Sequence, residues 1–524
     1  MIDDTLKLYK EALEDAIATG ELYEFSLAPF DRLDLPLWTV ALIPEDGALC
    51  DGFGYNPTPT GAQVSAWGET IEWFWAREAL KHIDRVVASR NDLIRQGRQA
   101  IDPVVLCLQA GSTYTDDQAL IWIEARRHPS NEPILVPIEA VAPRFADIVR
   151  KEEKSSSFIL PSLRSTPERA VGAPYPSSLI QVPITNGLGA GPSFAHALAH
   201  GVLELIQRDG NSVNYRALDR GIAIELDDVR DPATRELLDY LDQQGVEVIA
   251  KLATTDFGMS NVYVVGYDRD PTRAPQPITL SACGEAAHPD RERALAKALR
   301  EFSMARARKA FNHGPLDRVR SVAPPGYLDA FKPSSLRSED DRALQAMRDW
   351  VALDHAQFFA MLQDTVFSVR STVKFSDLPT VDQPIADADA LLDLLTKRLA
   401  QDGLEMLYVT FTPPDAPACV VRAIVPGLEV ETMTYGRIGR RNLRRLLDRR
   451  SPIVGLGDPP PGALPIALRL ADQATIGDPA WFDPAAVDQI VGPLYALYRE
   501  PGRHVIGFLE EQNNKGTGEQ ETNV

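Results

Sequence analysis

Apolar positions follow helical spacing in some segments of the chain and strand-like spacing in others. A period of three to four residues predicts helices at residues 62–90, 194–209, 290–311, 340–363, 386–402 and 484–499. Short runs rich in β-branched and aromatic residues predict strands at residues 37–43, 103–108, 119–125, 134–138, 262–267, 407–412 and 419–425. Because long helices and short strands are interspersed, we expect a mixed α/β (α+β) fold.

Three segments within residues 52–311 repeat one plan of strand, glycine turn and helix. In each, a helical glutamate has a glycine 17 residues before it, an alanine seven before it and a small residue three before it. The three sets are Glu69, Gly52, Ala62 and Ala66; Glu204, Gly187, Ala197 and Gly201; and Glu301, Gly284, Ala294 and Ala298. The repetition predicts three helices that direct a carboxylate into one shared site. Chance recurrence of common small residues is the alternative.

Converging carboxylates repel one another unless a cation compensates their charge. Magnesium bound to nucleotide phosphates suits this role, because it prefers oxygen ligands and retains positions for phosphate and water. Glu69 and Glu72 are one helical turn apart, and Glu204 and Gln207 repeat that spacing. The sequence therefore favours a site for a nucleotide and Mg²⁺.

Arg208 lies on the predicted helix of Glu204, and Lys297 lies on that of Glu301. Both side chains supply positive charge for phosphate oxygens. The common nucleotide motifs are absent from the sequence. It contains no GxxxxGK[ST], the GLGAG at residues 187–191 lacks the dinucleotide spacing, and no protein-kinase motif set occurs. A phosphate site would therefore be of another type.

His196, His200 and Glu204 form an HxxxHxxxE ladder on one predicted helix. A transition-metal site with three ligands is one interpretation. Ligands stacked over two helical turns span about 12 Å, however, which is too far for one ion. Histidines with ordinary polar or packing roles are the favoured interpretation.

The basic run RIGRRNLRRLLDRR at residues 437–450 has helical periodicity. We expect Leu443, Leu446 and Leu447 to be buried and the arginines to form a solvated face. Contact with phosphate or an acidic partner is the alternative.

The chain of 524 residues has 74 Asp and Glu against 54 Lys and Arg, a formal net charge of −20. This balance argues against a general nucleic-acid-binding protein, because phosphate backbones are held by clustered cations. No apolar run approaches the roughly 20 residues that a membrane span needs, and the N-terminus lacks signal-peptide features. The four cysteines form no CxxC pair. We therefore expect a cytoplasmic protein that binds neither nucleic acid nor membrane.

Six blocks of sequence, spread over residues 36–440, carry a resemblance to a known family. They read LPLWTVALIP, GFGYNPTPTGAQVSAWGETIEWF, LIWIEARRHPSNEPILVPIEAV, ITNGLGAGPSFAHALAHGVLELIQRDG, GEAAHPDRERALAKALREFSMAR and VTFTPPDAPACVVRAIVPGLE. Together and in this order they resemble the YcaO superfamily of ATP-dependent enzymes that modify peptide backbones. The resemblance implies a YcaO-like fold whose three strand-turn-helix repeats converge on one nucleotide site.

The resemblance also implies a function. Such enzymes use ATP and Mg²⁺ to phosphorylate a peptide amide oxygen, which a nucleophile then replaces. A Cys, Ser or Thr side chain gives an azoline (cyclodehydratase activity), sulfide gives a thioamide, and an amine gives an amidine. The implied partners are a precursor peptide and a leader-binding or sulfur-delivery protein, and a homodimer is left open. The alternative is a catalytically degenerate scaffold or leader-peptide-binding subunit.

Carried over by position, the resemblance implies two overlapping sets of site residues and no assigned catalytic residue. The nucleotide-binding set is Arg208, Lys297, Glu69, Glu301 and Gln207, and the metal-binding set is Glu69, Glu72, Glu204 and Glu301.

Six positions depart from the family pattern. Phe53 stands in place of a lysine, Trp73 of an arginine, Pro192 of an asparagine, His196 and Gln207 of glutamates and Lys297 of an arginine. These changes remove charge of both signs, so a divergent active enzyme and a degenerate scaffold both remain open. The proline-rich DPPPGALP at residues 458–465 is internal, whereas azoline-forming members often end in such a segment. This weakens the cyclodehydratase interpretation without removing it.

Composition and the resemblance together divide the chain into four predicted regions. They are an N-terminal helix at residues 1–35, a YcaO-like core at 36–465 with its C-terminal lobe at 338–465, an extension at 466–510 and a disordered tail at 511–524. The extension is expected to contain a helix followed by a strand, at residues 484–508.

Overall fold

The computed structural model describes residues 2–144, 147–148, 180, 183–213, 218–274, 276–335, 340–429 and 436–512. The helices are α1 (Ile2–Ala12), α2 (Glu14–Thr19), α3 (Pro59–His82), α4 (Arg90–Arg95), α5 (Phe194–Val213), α6 (Pro232–Gln243), α7 (Arg291–His313), α8 (Leu316–Val322), α9 (Tyr327–Ser335), α10 (Asp341–Val351), α11 (His355–Gln363), α12 (Ala388–Gln401), α13 (Arg440–Asp448), α14 (Leu470–Ile476), α15 (Pro484–Val491) and α16 (Tyr495–Tyr498). The strands are β1 (Glu21–Ser26), β2 (Leu37–Ile43), β3 (Cys50–Tyr55), β4 (Val86–Ser89), β5 (Ala119–His128), β6 (Pro133–Pro137), β7 (Leu188–Gly191), β8 (Ile222–Glu225), β9 (Val246–Thr254), β10 (Ser260–Asp268), β11 (Gly284–His288), β12 (Ser371–Lys374), β13 (Met406–Thr410), β14 (Cys419–Ile424), β15 (Val454–Leu456), β16 (Leu464–Pro465) and β17 (Ala480–Phe482). This architecture confirms the predicted mixed α/β fold.

The described strands form four sheets. Sheet A has the order β1-β2-β3, sheet B the order β4-β5-β13-β14-β7 with β6 paired to β5, sheet C the order β11-β10-β9-β8-β12, and sheet D the order β15-β17-β16. All neighbouring strands are antiparallel except β8 and β12. Three edge strands, β3, β7 and β11, each lie in a different sheet and each precede a long helix. Sheets A, B and C thus contribute one strand-helix unit apiece.

Local sequence explains where two of these helices begin. The Thr58 side chain accepts a hydrogen bond from the Gly61 N–H and Pro59 occupies the first turn, which starts α3. The Asp290 carboxylate accepts from the Glu292 N–H and starts α7 in the same way. Both caps satisfy amide groups that have no partner inside the helix.

Small residues allow each edge strand to lie directly against its helix. A Cβ atom on Gly52 would be 2.1 Å from the Ala66 carbonyl oxygen, and one on Gly284 would be 2.0 Å from that of Ala298. In the α5 unit, a Cβ atom on Gly201 would be 2.5 Å from the Gly187 carbonyl oxygen. Each of the three helices therefore lies in close contact with the strand or turn that precedes it.

Several predicted elements differ from the structure. Residues 103–108 are not a strand, because Asp102 caps a 3₁₀ turn at Pro103–Leu106 and Cys107 is left-handed at φ 60°. Residues 340–363 form two helices, since Asp354 and Gln357 make a reciprocal capping box that starts α11. Residues 505–512 are helical where a strand was expected.

Other expectations about the chain have mixed outcomes. The segment 1–35 contains β1 as well as helices. Residues 513–524 of the predicted disordered tail lie outside the described residues. The region boundaries stay predictions. No helix in the described ranges combines the length and apolar character needed to cross a bilayer.

The glycine contacts can be tested by denaturation. Gly52→Ala should lower the free energy of unfolding by about 1–3 kcal/mol, because its methyl group has no space against the α3 backbone. Gly68→Ala is the matched control within α3: its nearest atom, Cε2 of Tyr9, is 3.5 Å away, so the better helix former should be neutral or stabilising. Equal urea midpoints for Gly52→Ala and the unsubstituted protein would contradict the proposed contact.

Candidate functional site

The units β3-α3, β7-α5 and β11-α7 surround a cavity of about 500 Å³. Every residue predicted to bind nucleotide or metal lines it: Glu69, Glu72, Glu204, Gln207, Arg208, Lys297 and Glu301. Three sheets therefore bring residues that are more than 230 positions apart in the sequence to one place.

Main-chain hydrogen bonds hold one glutamate of each unit. Each carboxylate accepts from an N–H group at or next to the glycine that precedes it by 17 residues. The pairs are Phe53 N to Glu69 Oε2 (2.7 Å), Gly187 N to Glu204 Oε2 (2.8 Å) and Glu285 N to Glu301 Oε2 (3.0 Å). A bond to an ionised acceptor is stronger than one between neutral groups. The spacing in the sequence thus corresponds to a repeated anchor that fixes each carboxylate.

Glu72 connects two of the units. Its Oε1 atom accepts a hydrogen bond of 2.7 Å from the Ala190 N–H of β7. Glu72 lies one turn beyond Glu69 on α3, so α3 presents one carboxylate to its own strand and another to the edge strand of sheet B. This contact fixes the position of α3 relative to the α5 unit.

Two carboxyl groups of the site have raised pKa values. Burial, opposed in part by the hydrogen bond from Phe53, raises the pKa of Glu69 to about 7. Burial, followed by the negative charges of Glu69 and Glu204, raises the pKa of Glu72 to about 8. Near neutral pH these two carboxyl groups therefore hold protons part of the time. A bound cation would favour their ionised forms and displace those protons.

Cationic side chains of α5 and α7 lie in the wall of the cavity. Arg208 pairs with Glu285 (3.1 Å) and contacts Glu204 at 3.6 Å. The buried Gln207 points its amide at the same Glu285 carboxylate, at 3.5 Å. Lys297, Arg300 and Arg308 line the cavity from α7.

Sequence reasoning missed Glu285, although it directly follows the repeated glycine of the third unit. Its N–H anchors Glu301 and its side chain accepts from Arg208. The residue that follows the repeated glycine of the first unit is Phe53. Comparison of the repeats therefore did not predict a carboxylate at this position. The position after the glycine was the signal that could have identified it.

A second residue that sequence reasoning missed is Arg503, near the end of the chain. Its guanidinium group lies 4.2 Å from the Phe53 ring centroid and forms an ion pair with Asp51. Arg308 lies 5.7 Å from the same ring. Cation-π contacts of this kind are attractive. Two arginines therefore stand beside the position where the family pattern has a lysine.

His196 and His200 face the cavity as polar residues and are not packed in the core. Their side chains are open to solvent within the recess, although protein surrounds them. Burial, followed by the nearby charges of Lys297 and His196, lowers the pKa of His200 well below its ordinary value. His200 is therefore a neutral imidazole in the cavity at physiological pH.

Among the described residues, no three His, Cys, Asp or Glu side chains are arranged to hold a metal ion alone. This disfavours the histidine ladder as a metal site. Mg²⁺ commonly takes one or two carboxylates and completes its shell with phosphate and water. The anchored glutamates present this type of donor set, with room beside them for phosphates.

Comparison with known proteins agrees with this geometry. The family model described as YcaO cyclodehydratase, ATP- and Mg²⁺-binding, matches residues 53–158 and 164–429. The chain belongs to the YcaO family. The predicted resemblance is confirmed, and ATP and Mg²⁺ are the cofactors that membership of this family assigns.

Individual relatives are distant. A protein of unassigned function from Methanothermobacter thermautotrophicus is 27% identical over 446 residues, which are 84% of this chain and 96% of the relative. The structure of YcaO from Methanopyrus kandleri bound with AMPPCP and Mg²⁺ is similar at a TM-score of 0.55 and 19% identity, over 84% of this chain and 94% of that one. A heterocyclase in complex with substrate and cofactor has a TM-score of 0.54 and 17% identity, over 84% of this chain and 55% of that one. The two structural similarities confirm the YcaO-like fold.

The raised pKa values predict proton release when Mg²⁺ and nucleotide bind. At pH 7, binding should release protons from Glu69 and Glu72, because a bound cation lowers both pKa values. At pH 9 both groups are already ionised, so the release should largely disappear. Titration calorimetry of Mg·AMPPCP in buffers of different ionisation enthalpy measures this quantity.

Variants identify the source of the protons. Glu72→Gln should reduce the release at pH 7, whereas Glu78→Gln should not, since Glu78 lies on α3 outside the cavity and pairs with Lys81. The same release at pH 7 and pH 9 would contradict the assignment.

Proposed function

We propose that this chain uses Mg·ATP to phosphorylate the oxygen of a peptide backbone amide during maturation of a ribosomally synthesised peptide. The observation that supports this most is the convergence of three main-chain-anchored glutamates with Arg208 and Lys297 on one cavity. An amide oxygen is a poor leaving group, and phosphorylation converts it into a good one. Positioning and charge stabilisation dominate catalysis of such a transfer.

In this proposal the residues have separate roles. Glu69, Glu72, Glu204 and Glu301 hold Mg²⁺ through a subset of their oxygens, and the rest keep their main-chain bonds. Arg208 and Lys297 bind phosphate oxygens, and Gln207 orients Glu285 next to Arg208. When bound, ATP supplies the phosphoryl group. The cavity walls align it with the amide oxygen and limit the access of water.

The overall reaction balances as two displacements. The amide oxygen attacks the terminal phosphorus of ATP, the bond to the bridging oxygen breaks, and ADP leaves. A nucleophile then adds to the amide carbon and loses a proton, and the carbon-oxygen bond breaks to release phosphate. A second proton leaves from the amide nitrogen when an azoline forms and from the sulfur when a thioamide forms. A Cys, Ser or Thr side chain gives an azoline, and sulfide gives a thioamide. We keep both products in the proposal, with a precursor peptide as substrate and a leader-binding or sulfur-delivery protein as partner.

The alternative is a YcaO-like scaffold that binds peptide without turning over ATP. The departures at His196 and Gln207 motivate it, because each replaces an expected carboxylate. Retention of the anchored glutamates in all three units favours the enzyme.

Nucleotide binding and turnover separate these alternatives. A saturating ligand at a hundred times its Kd stabilises the fold by about 2.7 kcal/mol, so Mg·ATP should raise the Tm of the full chain. Glu69→Gln and Glu301→Gln should each reduce peptide-dependent ATP hydrolysis about 100-fold or more. Glu78→Gln is the matched control and should retain activity. Absence of a Tm shift, together with unchanged behaviour of both cavity variants, would favour the scaffold.

The nucleophile can be identified from product mass. The protein is incubated with ATP, Mg²⁺ and peptides encoded beside its gene, with and without sulfide. Loss of one water that depends on a Cys, Ser or Thr indicates cyclodehydration, and replacement of one oxygen by sulfur indicates thioamidation. We expect either change to require Glu301. An unmodified peptide despite Mg·ATP binding would contradict the proposed reaction for that peptide.

A further inference from the structure

A second cavity, of about 540 Å³, is lined by residues of α13 together with residues of other segments, including Val104, Asp402 and Leu468. None of the residues that line it also lines the glutamate cavity. Its wall includes five arginines: Arg440, Arg441, Arg444, Arg445 and Arg469. Four of them come from α13, the helix of the basic run.

Only part of the basic run forms the solvated face that its sequence predicts: Arg440 and Arg450 are exposed, whereas Arg441 and Arg445 are partly buried. Leu443 and Leu446 are buried as expected, but two arginines of the same helix form internal ion pairs. Arg441 contacts Asp209 at 3.2 Å and Asp256 at 2.7 Å, and Arg445 pairs with the same two carboxylates. These contacts hold the α13 arginines in the cavity wall.

The remaining arginines are less fully compensated. Arg440 and Arg469 share one carboxylate, that of Asp472, at 3.0 and 2.9 Å. The Arg444 side chain makes no hydrogen bond or ion pair with any residue that the structure describes. Among the described residues, three carboxylates, those of Asp209, Asp256 and Asp472, bond these arginines, whereas each guanidinium group carries five N–H donors. The arginines of this wall retain unused capacity to bind an anion.

The first turn of α13 adds donors to the same wall. Its N-cap residue, Gly439, has no side chain to cap the helix, and Glu429 accepts from the Asn442 N–H. Within the described ranges, the main-chain N–H groups of Arg440 and Arg441 have no hydrogen-bond acceptor. The N-terminus of a helix carries partial positive charge and favours anions. The N-terminus of α13 therefore favours an anion in this cavity, as the arginine side chains do.

We propose that this cavity is a second ligand site, which binds a small anion through phosphate or carboxylate groups. Planar guanidinium groups bind both kinds of group through parallel hydrogen bonds. The site does not depend on the function proposed for the glutamate cavity. The two cavities adjoin α5 through consecutive residues, since Arg208 lines the first and Asp209 bonds the arginines of the second.

The experiment titrates the full chain with inorganic phosphate and, separately, with succinate, at constant ionic strength, and follows binding by calorimetry and Tm. At least one anion should bind the unsubstituted protein. Arg444→Gln should weaken that binding at least tenfold, and Arg440→Gln should weaken it as an independent second variant. Arg450→Gln is the matched control, because Arg450 follows the same helix but does not line the cavity.

A further variant separates the two cavities. Lys297→Gln changes the glutamate cavity only, so it should leave anion binding at the second site unchanged. A phosphate signal that is lost in Lys297→Gln but retained in Arg444→Gln would place the anion in the glutamate cavity and overturn the proposal. Failure of both anions to bind the unsubstituted protein would also overturn it. A response to phosphate alone or to succinate alone identifies the ligand class.

Discussion

The hydrogen bond from a strand N–H to a helix glutamate is the contact on which the site depends. It forms only if the strand lies against the helix with no Cβ atom between them, which is why Gly52 and Gly284 face Ala66 and Ala298. A larger residue on either side would push the strand away and break the 2.7 to 3.0 Å bonds to Glu69 and Glu301. Packing between small residues thus sets the positions of charged groups.

The same contact explains why three separate sheets serve one site. An edge strand has main-chain groups that no neighbouring strand satisfies. In β3 and β11, and in the turn before β7, one such group bonds a helix carboxylate, and the Ala190 N–H of β7 bonds Glu72. One edge of each of sheets A, B and C, formed by β3, β7 and β11, therefore lies against a helix that carries a cavity glutamate. Each strand-helix unit is formed by residues that are close in sequence. Only the convergence of the three units on one cavity requires the whole fold.

This locality determines what could be predicted from the sequence. Glycine, small residue and glutamate recur at fixed spacing because each unit is built within about one strand and one helix, so Glu69, Glu204 and Glu301 could be recognised. Arg503 could not, because it reaches Asp51 from about 450 residues away and no periodicity relates the two positions. The break between α10 and α11 had a local signal, the Asp354 and Gln357 capping box, which helical periodicity across residues 340–363 concealed.

Departures from the family pattern rearrange the charges of the site without removing its anchors. Phe53 replaces a cation, yet the hydrogen bond that it donates to Glu69 comes from its main-chain N–H and does not depend on the side chain. Its ring instead contacts Arg503 and lies within 6 Å of Arg308, so positive charge remains near that turn. Gln207 replaces a carboxylate, while Glu285 provides one at 3.5 Å from its amide and pairs with Arg208. At Phe53 and Gln207 a charged group from a different element thus lies beside the altered residue, so these two departures leave charge in the site.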